Sequence, residues 1–350
     1  MNNIFSYTPE ELVTLMAEIG EPKFRAAQIF SQLHKGKNLD EMTNIGKATK
    51  EKISAVCHTE LPKVKRKLVS KLDGTVKYLF ELYDKNCVES VVMKYEHGYT
   101  ICVSSQVGCR MGCKFCASTI AGRVRDLEAG EILGQILAAN RDLDIRISNV
   151  VMMGIGEPLD NFDNTVKFLK LVNHPDGVNI GYRHISVSTC GVVDKIYKLA
   201  ELDMQITLSI SLHAPDDATR NEIMPVNKRW GVQELLTACR DYYRATGRRI
   251  SFEYTLISGK NDSSENAQKL ADVLNGALRS KSEGMPIHVN LIPVNEVDET
   301  GFKSTDRAQV KQFAATLEKR GIRATIRRTL GSDINASCGQ LRREDSAEEQ

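Results

Sequence analysis

The sequence predicts an α/β protein whose main unit is a partial (β/α)6 barrel. Short segments rich in β-branched residues alternate with segments of helical periodicity from about residue 127 onwards, and this alternation is typical of a parallel sheet. About six such units occur, which suits a full or partial barrel. A small helical accessory domain and a β-hairpin region are predicted before the barrel, because the apolar residues there follow different periods.

The first 60 residues are predicted to form the helical accessory domain. Thr8, Pro9 and Glu11 have the pattern of a helix N-cap, a proline in the first turn and a capping-box glutamate. Residues 23–35 and 39–57 repeat the helical period, and glycines separate the segments.

Residues 61–94 are predicted to form a β-hairpin linker that extends the barrel. The segments KRKLVSKL and TVKYLFELY flank Asp73-Gly74, a pair that favours a two-residue hairpin turn. Two further strand-like segments flank Glu96-His97-Gly98. We therefore expect the barrel core over 95–330 and a C-terminal tail over 331–350.

The barrel itself is predicted from its alternating segments. The strand-like segments are ISNVVMMG, RHISVSTCG, ITLSISLH, RISFEYTLISG, PIHVNLIP and IRATIRRT. The helical segments lie at about 127–143, 162–173, 192–202, 231–246, 264–279 and 305–321. The chemistry of such a barrel collects at the C-terminal ends of its strands, where GIGEP, STCG, SLH and LIPVN fall.

Composition and charge are those of an ordinary globular protein. The 350 residues carry a formal net charge of +2, with a pI near 8.0. No signal peptide and no stretch long enough to span a membrane are evident, so we expect a cytoplasmic protein. By charge alone, two basic clusters are better interpreted as solvated surface than as sites for phosphate. Their members are Lys63, Lys65, Arg66, Lys67 and Lys71, and then Arg320, Arg323, Arg327, Arg328, Arg342 and Arg343.

Cys109, Cys113 and Cys116 form a C-x3-C-x2-C triad within CVSSQVGCRMGCKFCAS. Three thiolates on one loop suit an iron–sulfur cube, whose fourth iron stays open for another ligand. A structural zinc site normally has four ligands, and no second Cys pair or nearby His completes one here. Zinc, a redox switch and chance remain as alternatives. The chain's nine cysteines, in a reducing compartment, also favour metal or thiol chemistry over a disulfide scaffold.

Two features near the triad could serve a ligand. Phe115 lies inside the triad, where an aromatic ring could cover a cluster or a molecule bound to it. Gly154 and Gly156 let the chain leave a strand with exposed backbone, and Glu157 follows with a carboxylate that can pair with an ammonium group. By itself a GxG segment is equally consistent with a simple turn.

Five motifs, in order, resemble the RlmN-type adenine-C2 RNA methyltransferases, which are radical S-adenosylmethionine (SAM) enzymes. They are CVSSQVGC with the C-x3-C-x-aromatic-C triad, VVMMGIGEPL, SLHAP, VNLIPVN and GSDINASCGQL, and they span nearly the whole chain. The resemblance implies a radical SAM barrel and a [4Fe-4S] cluster on the triad, whose open iron binds the amino and carboxylate groups of SAM. The positions that match SAM-contacting residues are Gly156, Glu157, Ser188, Ser211, Leu212, His213 and Asn295.

The resemblance also implies roles for three further residues and the use of two SAM molecules per turnover. Cys338 matches the cysteine that accepts a methyl group from one SAM; a radical from the second SAM removes a hydrogen from it, and the carbon radical adds to adenine C2. Cys102 matches the cysteine that then forms a disulfide with Cys338 and releases the methylated base. Glu89 matches the acceptor of the C2 proton. Without the resemblance, both cysteines would be interpreted as buried packing residues and Glu89 as an exposed strand carboxylate.

The remaining expectations concern partners. The implied substrates are 23S rRNA and, as in many members, tRNA at the adenosine 3′ of the anticodon, with the target base leaving its stack. The N-terminal helices and the basic hairpin are the natural surface for RNA. An electron donor such as flavodoxin or ferredoxin is implied, and we expect a monomer. Four cysteines match no required role and are assigned to packing: Cys57, Cys87, Cys190 and Cys239.

Three other functions compete with this one. A Cfr-type methyltransferase, which modifies adenine C8, also resembles the chain, but VSSQVGC and GIGEPL favour the C2 enzyme. A non-methylating radical SAM enzyme, such as an activase or a dehydrogenase, has no need for Cys102 or Cys338. An RNA-binding module with a merely structural cluster would not cleave SAM.

Overall fold

The structure is a computed structural model that describes residues 1–279, 284–295 and 300–336. Its strands, in chain order, are β1 (Asn2–Asn3), β2 (Cys57–His58), β3 (Lys63–Val69), β4 (Val76–Glu81), β5 (Cys87–Tyr95), β6 (Gly98–Cys102), β7 (Gln106–Gly108), β8 (Arg123–Asp126), β9 (Ile147–Met152), β10 (Ile185–Thr189), β11 (Thr207–Ser211), β12 (Ile250–Leu256), β13 (His288–Pro293) and β14 (Arg323–Ile326). Its α-helices are α1 (Pro9–Glu18), α2 (Phe24–Leu33), α3 (Lys47–Ser54), α4 (Ala129–Leu143), α5 (Phe162–Asn173), α6 (Val193–Ala200), α7 (Asp217–Ile223), α8 (Val232–Thr246), α9 (Ser264–Leu278) and α10 (Arg307–Lys319). Among these described helices, none has both the length and the apolar character needed to cross a membrane.

One ten-stranded sheet has the strand order β14-β13-β12-β11-β10-β9-β6-β5-β4-β3. Strand β6 and strands β9 to β14 are all parallel, and they lie side by side in chain order. Strands β5, β4 and β3 continue one edge in antiparallel pairs. In the described part of the chain, β3 and β14 lie at opposite ends of the sheet and do not pair, so the barrel is open. The predicted α/β fold with a partial barrel is confirmed.

Alternation along the strands gives the sheet two different faces. In β11, Leu208 and Ile210 are fully buried in an apolar core that also contains Leu235 of α8. The residues between and beyond them, Ser209 and Ser211, point to the opposite face. Helices therefore cover the outer, apolar face, and the polar inner face is the place for chemistry.

The helices predicted after residue 126 are all present, with ends within two residues of the predicted ones. The prediction of one helical segment over 39–57 was wrong. This range holds a 3-10 turn at Leu39–Glu41 and only the short helix α3. The Asn38 N–H donates to the Glu41 carboxylate (2.8 Å), which closes the turn as its own unit, and Gly46 caps the start of α3 instead.

The hairpin predicted at Asp73-Gly74 is present, but its turn is longer than two residues. The last pair of β3 and β4 joins Val69 to Val76, and the Ser70 N–H donates to the Thr75 carbonyl (2.8 Å). The loop therefore contains the four residues 71–74. The second predicted hairpin is tighter, since Tyr95 pairs directly with Gly98.

The N-terminal segment is fixed against the barrel. The predicted capping box forms, because the Thr8 N–H donates to the Glu11 carboxylate (2.8 Å) and the Glu11 N–H donates to the Thr8 hydroxyl (3.3 Å). At the start of α4, the Gly130 N–H donates to Ser6 Oγ (2.8 Å). A Cβ at Gly130 would lie 2.5 Å from the Ser6 nitrogen, so this close approach requires glycine.

Candidate active site

The cysteine triad lies on the loop that follows β7. The Cys109 N–H donates to the Gly122 carbonyl (3.0 Å), and the Cys116 N–H donates to the Cys113 carbonyl (3.1 Å). Gly108, just before the triad, has φ +78°, and a Cβ there would overlap the Gly122 carbonyl oxygen. Glycine at this position therefore lets the loop turn back on itself and present the three sulfurs.

The environment of the thiols suits a group that supplies positive charge. Burial raises the pKa of Cys109 to about 12 and raises the pKa of Cys113 well above its usual range, and the neighbouring thiols act in the same direction. Ligand thiolates would therefore need a metal to hold them deprotonated. Among the described residues, no set of three or more His, Cys, Asp or Glu side chains closes around one metal ion. Each cysteine of a cube binds a different iron, so a cluster does not require the three sulfurs to meet at one ion.

Glu157 joins the ends of β9 and β10. Its buried carboxylate accepts hydrogen bonds from the backbone N–H groups of Leu159 (3.0 Å) and Cys190 (2.7 Å). Burial raises the pKa of Glu157, and these hydrogen bonds oppose the rise. Gly156 has φ +108°, and a Cβ there would lie 2.6 Å from Gln106 Cβ. The carboxylate is thus held in place at the strand ends, where the side chains of Thr189 and Cys190 also hydrogen-bond to it.

The two predicted serines lie on neighbouring strands. Ser188 of β10 pairs in register with Ser209 of β11, and Ser211 is the last residue of β11. Leu212, the next residue, is fully buried in the apolar core. Its backbone groups already have partners, since its N–H donates to the Glu253 carbonyl (3.1 Å) and its carbonyl accepts from the Arg220 side chain (3.0 Å).

His213, two residues after the end of β11, adopts a left-handed backbone conformation (φ +56°). Its Nδ1 accepts a hydrogen bond from the Thr255 N–H (2.9 Å), which leaves the proton on Nε2. Burial lowers the pKa of His213 to about 3, and the charge of Arg220 adds to this effect. The imidazole is therefore neutral. The Phe115 ring packs edge-to-face against it, with 5.1 Å between the two ring centroids.

Arg220 of α7 was not predicted from the sequence to belong to the site. Its side chain is fully buried and donates to the carbonyl oxygens of Cys190 (2.7 Å), Ser211 (3.1 Å) and Leu212 (3.0 Å). It therefore ties the end of β10 to the end of β11. No local signal distinguishes it, because a helical arginine is normally exposed.

A pocket of about 230 Å³ on the inner face brings several predicted residues together. Cys102, Phe115, Cys116 and Asn295 all line it, together with Ala336 of the C-terminal segment. A second cavity of about 260 Å³ lies between the N-terminal segment and β4, but none of the predicted site residues that the structure describes lines it. The inner-face pocket is therefore the candidate active site.

Glu89 lies on the inner face of β5, and its interpretation as an exposed carboxylate was wrong. It is only 2% exposed, and its carboxylate lies 3.1 Å from the Lys77 ammonium of β4. The strand pattern did not reveal this burial, because it depends on a segment distant in sequence that covers the face.

That segment is the C-terminal part of the described chain. Asp333 accepts a hydrogen bond from Ser70 Oγ of the first hairpin loop (2.7 Å). Three residues later, Ala336 packs into an apolar cluster that contains Cys102. The predicted methyl carrier, Cys338, lies outside the described residues.

The four cysteines assigned to packing are all buried: Cys57, Cys87, Cys190 and Cys239. For Cys190 this assignment is incomplete. Its backbone N–H binds Glu157 and its carbonyl binds Arg220, so the residue also forms part of the framework of the site.

Two family models match the chain. Residues 103–271 match the radical SAM superfamily, and residues 2–59 match the N-terminal domain of ribosomal RNA large subunit methyltransferases. The first match contains the cysteine loop and most of the parallel strands. The fold and the site thus define a radical SAM protein, which implies a [4Fe-4S] cluster and SAM as cofactors.

Full-length relatives narrow this class to one family. The chain is 54% identical to a probable dual-specificity RNA methyltransferase RlmN of Clostridium novyi, with 98% of each chain covered. It therefore belongs to the RlmN family of radical SAM RNA methyltransferases, as the sequence motifs predicted. A relative of the same description from Alkaliphilus oremlandii is 51% identical over 97% of each chain. The crystal structure of a radical SAM methyltransferase from Sphaerobacter thermophilus matches with a TM-score of 0.91 and 38% identity, over 97% of this chain and 99% of that one.

Proposed function

We propose that this protein methylates carbon 2 of an adenine in 23S rRNA and of the adenosine 3′ of the tRNA anticodon, with the methyl group carried on Cys338. The observation that carries the proposal is the approach of the C-terminal segment to Cys102. Ala336, two residues before Cys338, packs against the apolar cluster that contains Cys102, and both residues line the pocket. A radical SAM enzyme that did not use this pair of cysteines would have no need for the arrangement.

The cofactors would be held by the residues described above. Cys109, Cys113 and Cys116 would bind the cluster, which supplies, when bound, the electron that cleaves SAM to a 5′-deoxyadenosyl radical. A donor such as flavodoxin or ferredoxin would reduce it. Two SAM molecules would be used per turnover, one for the methyl group and one for the radical. The residues assigned to SAM are Gly156, Glu157, Ser188, Ser211, Leu212, His213 and Asn295.

Three side chains would act on the substrate. Once a hydrogen atom has left its S-methyl group, Cys338 would join that carbon to adenine C2, and Glu89 would accept the C2 proton. The unpaired electron left on the joined base would return to the cluster that supplied the first electron. The Cys102 sulfur would then bond to the Cys338 sulfur as the bond from that sulfur to the transferred carbon breaks, with its electron pair going to the base. A proton taken up by the base completes the methyl group. The apolar cluster around Cys102 supports this role, since it keeps water away from the sulfur.

RNA would approach the pocket across basic surface. Lys63 and Lys65 are exposed on β3, the strand at the edge of the sheet. Arg327 and Arg328 are exposed and line the pocket that contains Cys102. Phosphate groups beside the target base would bind these side chains, while the N-terminal helices would grip more distant parts of the RNA.

The test is an assay of the anaerobically reconstituted protein with labelled SAM, a 23S rRNA fragment and tRNA. Mass spectrometry of the digested RNA should show 2-methyladenosine from both. Cys338→Ala should abolish methyl transfer while SAM cleavage continues, and Cys239→Ala, at a buried position in α8 away from the pocket, should keep activity.

Other outcomes would favour the competing functions. If 8-methyladenosine formed without 2-methyladenosine, the Cfr-type function would replace the proposal. Full turnover by Cys338→Ala would refute the carrier cysteine. If reduced, cluster-loaded protein failed to cleave SAM, the cluster would be structural.

A further inference from the structure

Lys77 and Glu89 form an ion pair that is almost completely removed from water. Lys77 of β4 lies opposite Val91, and Glu89 of β5 lies opposite Leu79, so the two side chains are diagonal neighbours on one face. Their side chains are 1% and 2% exposed, and the ammonium nitrogen lies 3.1 Å from a carboxylate oxygen. Burying two charges is costly, and an apolar pair of similar volume is often as stable. The pair therefore suggests a purpose beyond stability.

The same ammonium group also contacts the segment that leads to Cys338. Lys77 Nζ donates a hydrogen bond to the Asn335 carbonyl (2.8 Å), three residues before Cys338 in the sequence. Val91 and Met93, which follow Glu89 on the same face of β5, line the pocket beside Cys102. Lys77 thus lies between the carboxylate and the segment that carries the reacting group.

We propose that Lys77 is a positioning residue for the proton transfer, holding the Glu89 carboxylate oriented toward the methyl-carrying segment. The inference rests on the proposed function, in which Glu89 takes the C2 proton. A carboxylate can accept that proton only in its ionised form, which a buried site disfavours unless a cation is beside it. With a neutral residue at position 77, the Glu89 carboxylate would lose this ion pair and the orientation that it fixes.

A purely structural pair would behave differently when the steps of turnover are separated. Methylation of Cys338 and its addition to the base precede the proton transfer. A defect confined to Glu89 should therefore allow the protein and the RNA to become covalently joined and then prevent their separation. A general loss of structure should reduce the joined species along with the product.

The experiment is a double-mutant cycle in single-turnover reactions with labelled RNA. The variants are Glu89→Gln, Lys77→Gln, Lys77→Arg and the double variant of Lys77→Gln with Glu89→Gln. Denaturing gels measure the protein–RNA adduct, mass spectrometry measures 2-methyladenosine and S-methylcysteine, and iron content and melting temperature report folding. Lys85→Gln is the control, because Lys85 forms an exposed ion pair with Glu81 on the same hairpin.

The expected results follow from a role that acts through Glu89. Lys77→Gln should release 2-methyladenosine about 10 to 100 times more slowly, a part of the full effect of a general base, and should accumulate the adduct. Lys77→Arg should restore part of the rate. The double variant should be no slower than Glu89→Gln alone, because Lys77 affects the proton transfer through Glu89.

Three results would overturn the inference while leaving the proposed function intact. They are wild-type turnover by Lys77→Gln, loss of S-methylcysteine and adduct in a folded Lys77→Gln protein, and a double variant slower than Glu89→Gln. The last comparison decides even if Lys77→Gln alone does not fold, since the double variant replaces both members of the ion pair. If the wild-type protein makes no 2-methyladenosine, or Glu89→Gln turns over normally, the proposed function fails and the inference with it.

Discussion

Replacing Arg220 with methionine should destabilise the protein strongly, because Arg220 holds two strand ends together from inside the core. Its guanidinium group donates to the carbonyl oxygens of Cys190 (2.7 Å), Ser211 (3.1 Å) and Leu212 (3.0 Å) and to the side-chain oxygen of Asn227 (2.9 Å). Methionine has a similar length and no donor. All four acceptors would lose their charged partner in a place that water does not reach.

The magnitude follows from two opposing effects. Each hydrogen bond from a charged donor contributes about 1.5 to 3 kcal/mol, and burial of the guanidinium group costs several kcal/mol, so the net loss is about 3 to 5 kcal/mol. The same burial lowers the pKa of Arg220, because removal from water disfavours the charged form of the guanidinium group. Unfolding entropy is about 2.1 cal/mol/K per residue, or about 0.7 kcal/mol/K for the whole chain. The melting temperature should therefore fall by about 4 to 7 °C.

The assay is thermal unfolding of the anaerobically reconstituted protein, together with SAM binding. Arg220→Lys should give an intermediate loss, since one ammonium group cannot span acceptors on two strands. Lys228→Met, at an exposed position in the turn after α7, should leave the melting temperature unchanged. A melting temperature for Arg220→Met within about 1 °C of wild type would refute the reasoning, because that corresponds to less than about 1 kcal/mol.

Three further predictions concern other parts of the structure. Gly108→Ala should lower iron incorporation, because its Cβ would overlap the Gly122 carbonyl; Gly122→Ala, which also has positive φ but an open surrounding, is the control, and equal iron contents would contradict the prediction. Burial lowers the pKa of His34 to about 3, so below its ordinary value of 6.5 the unfolded chain binds a proton that the folded chain does not. The free energy of unfolding should therefore decrease as the pH is lowered, by on the order of 2 kcal/mol for this residue at pH 5. His34→Gln should make the free energy of unfolding depend less on pH between pH 7 and 5, and an unchanged dependence would count against this assignment. Asp333→Asn should speed hydrogen exchange at the Lys71 amide, which donates to that carboxylate (2.8 Å), and an unchanged rate would mean that Asp333 does not anchor the segment.

Patterns confined to neighbouring residues were enough to predict much of this protein. The strand and helix periods predicted the parallel sheet, and the capping box at Thr8 predicted the start of α1. The triad was visible because all three thiols belong to one short loop, and Glu157 because it lies in the glycine-containing loop after β9. The helix predicted over 39–57 failed for the complementary reason, since a locally closed turn at Asn38 competed with the helical period.

The tertiary structure decided which charged side chains are buried and what lies beside them. Nothing near Arg220 in the sequence indicates that the ends of β10 and β11 will close around it, and nothing near Glu89 indicates Lys77 as its partner. Local periodicity determines which face of a strand a side chain occupies. Whether that face meets water depends on the segment that packs over it, and here that segment comes from more than 240 residues further along the chain, at Asn335.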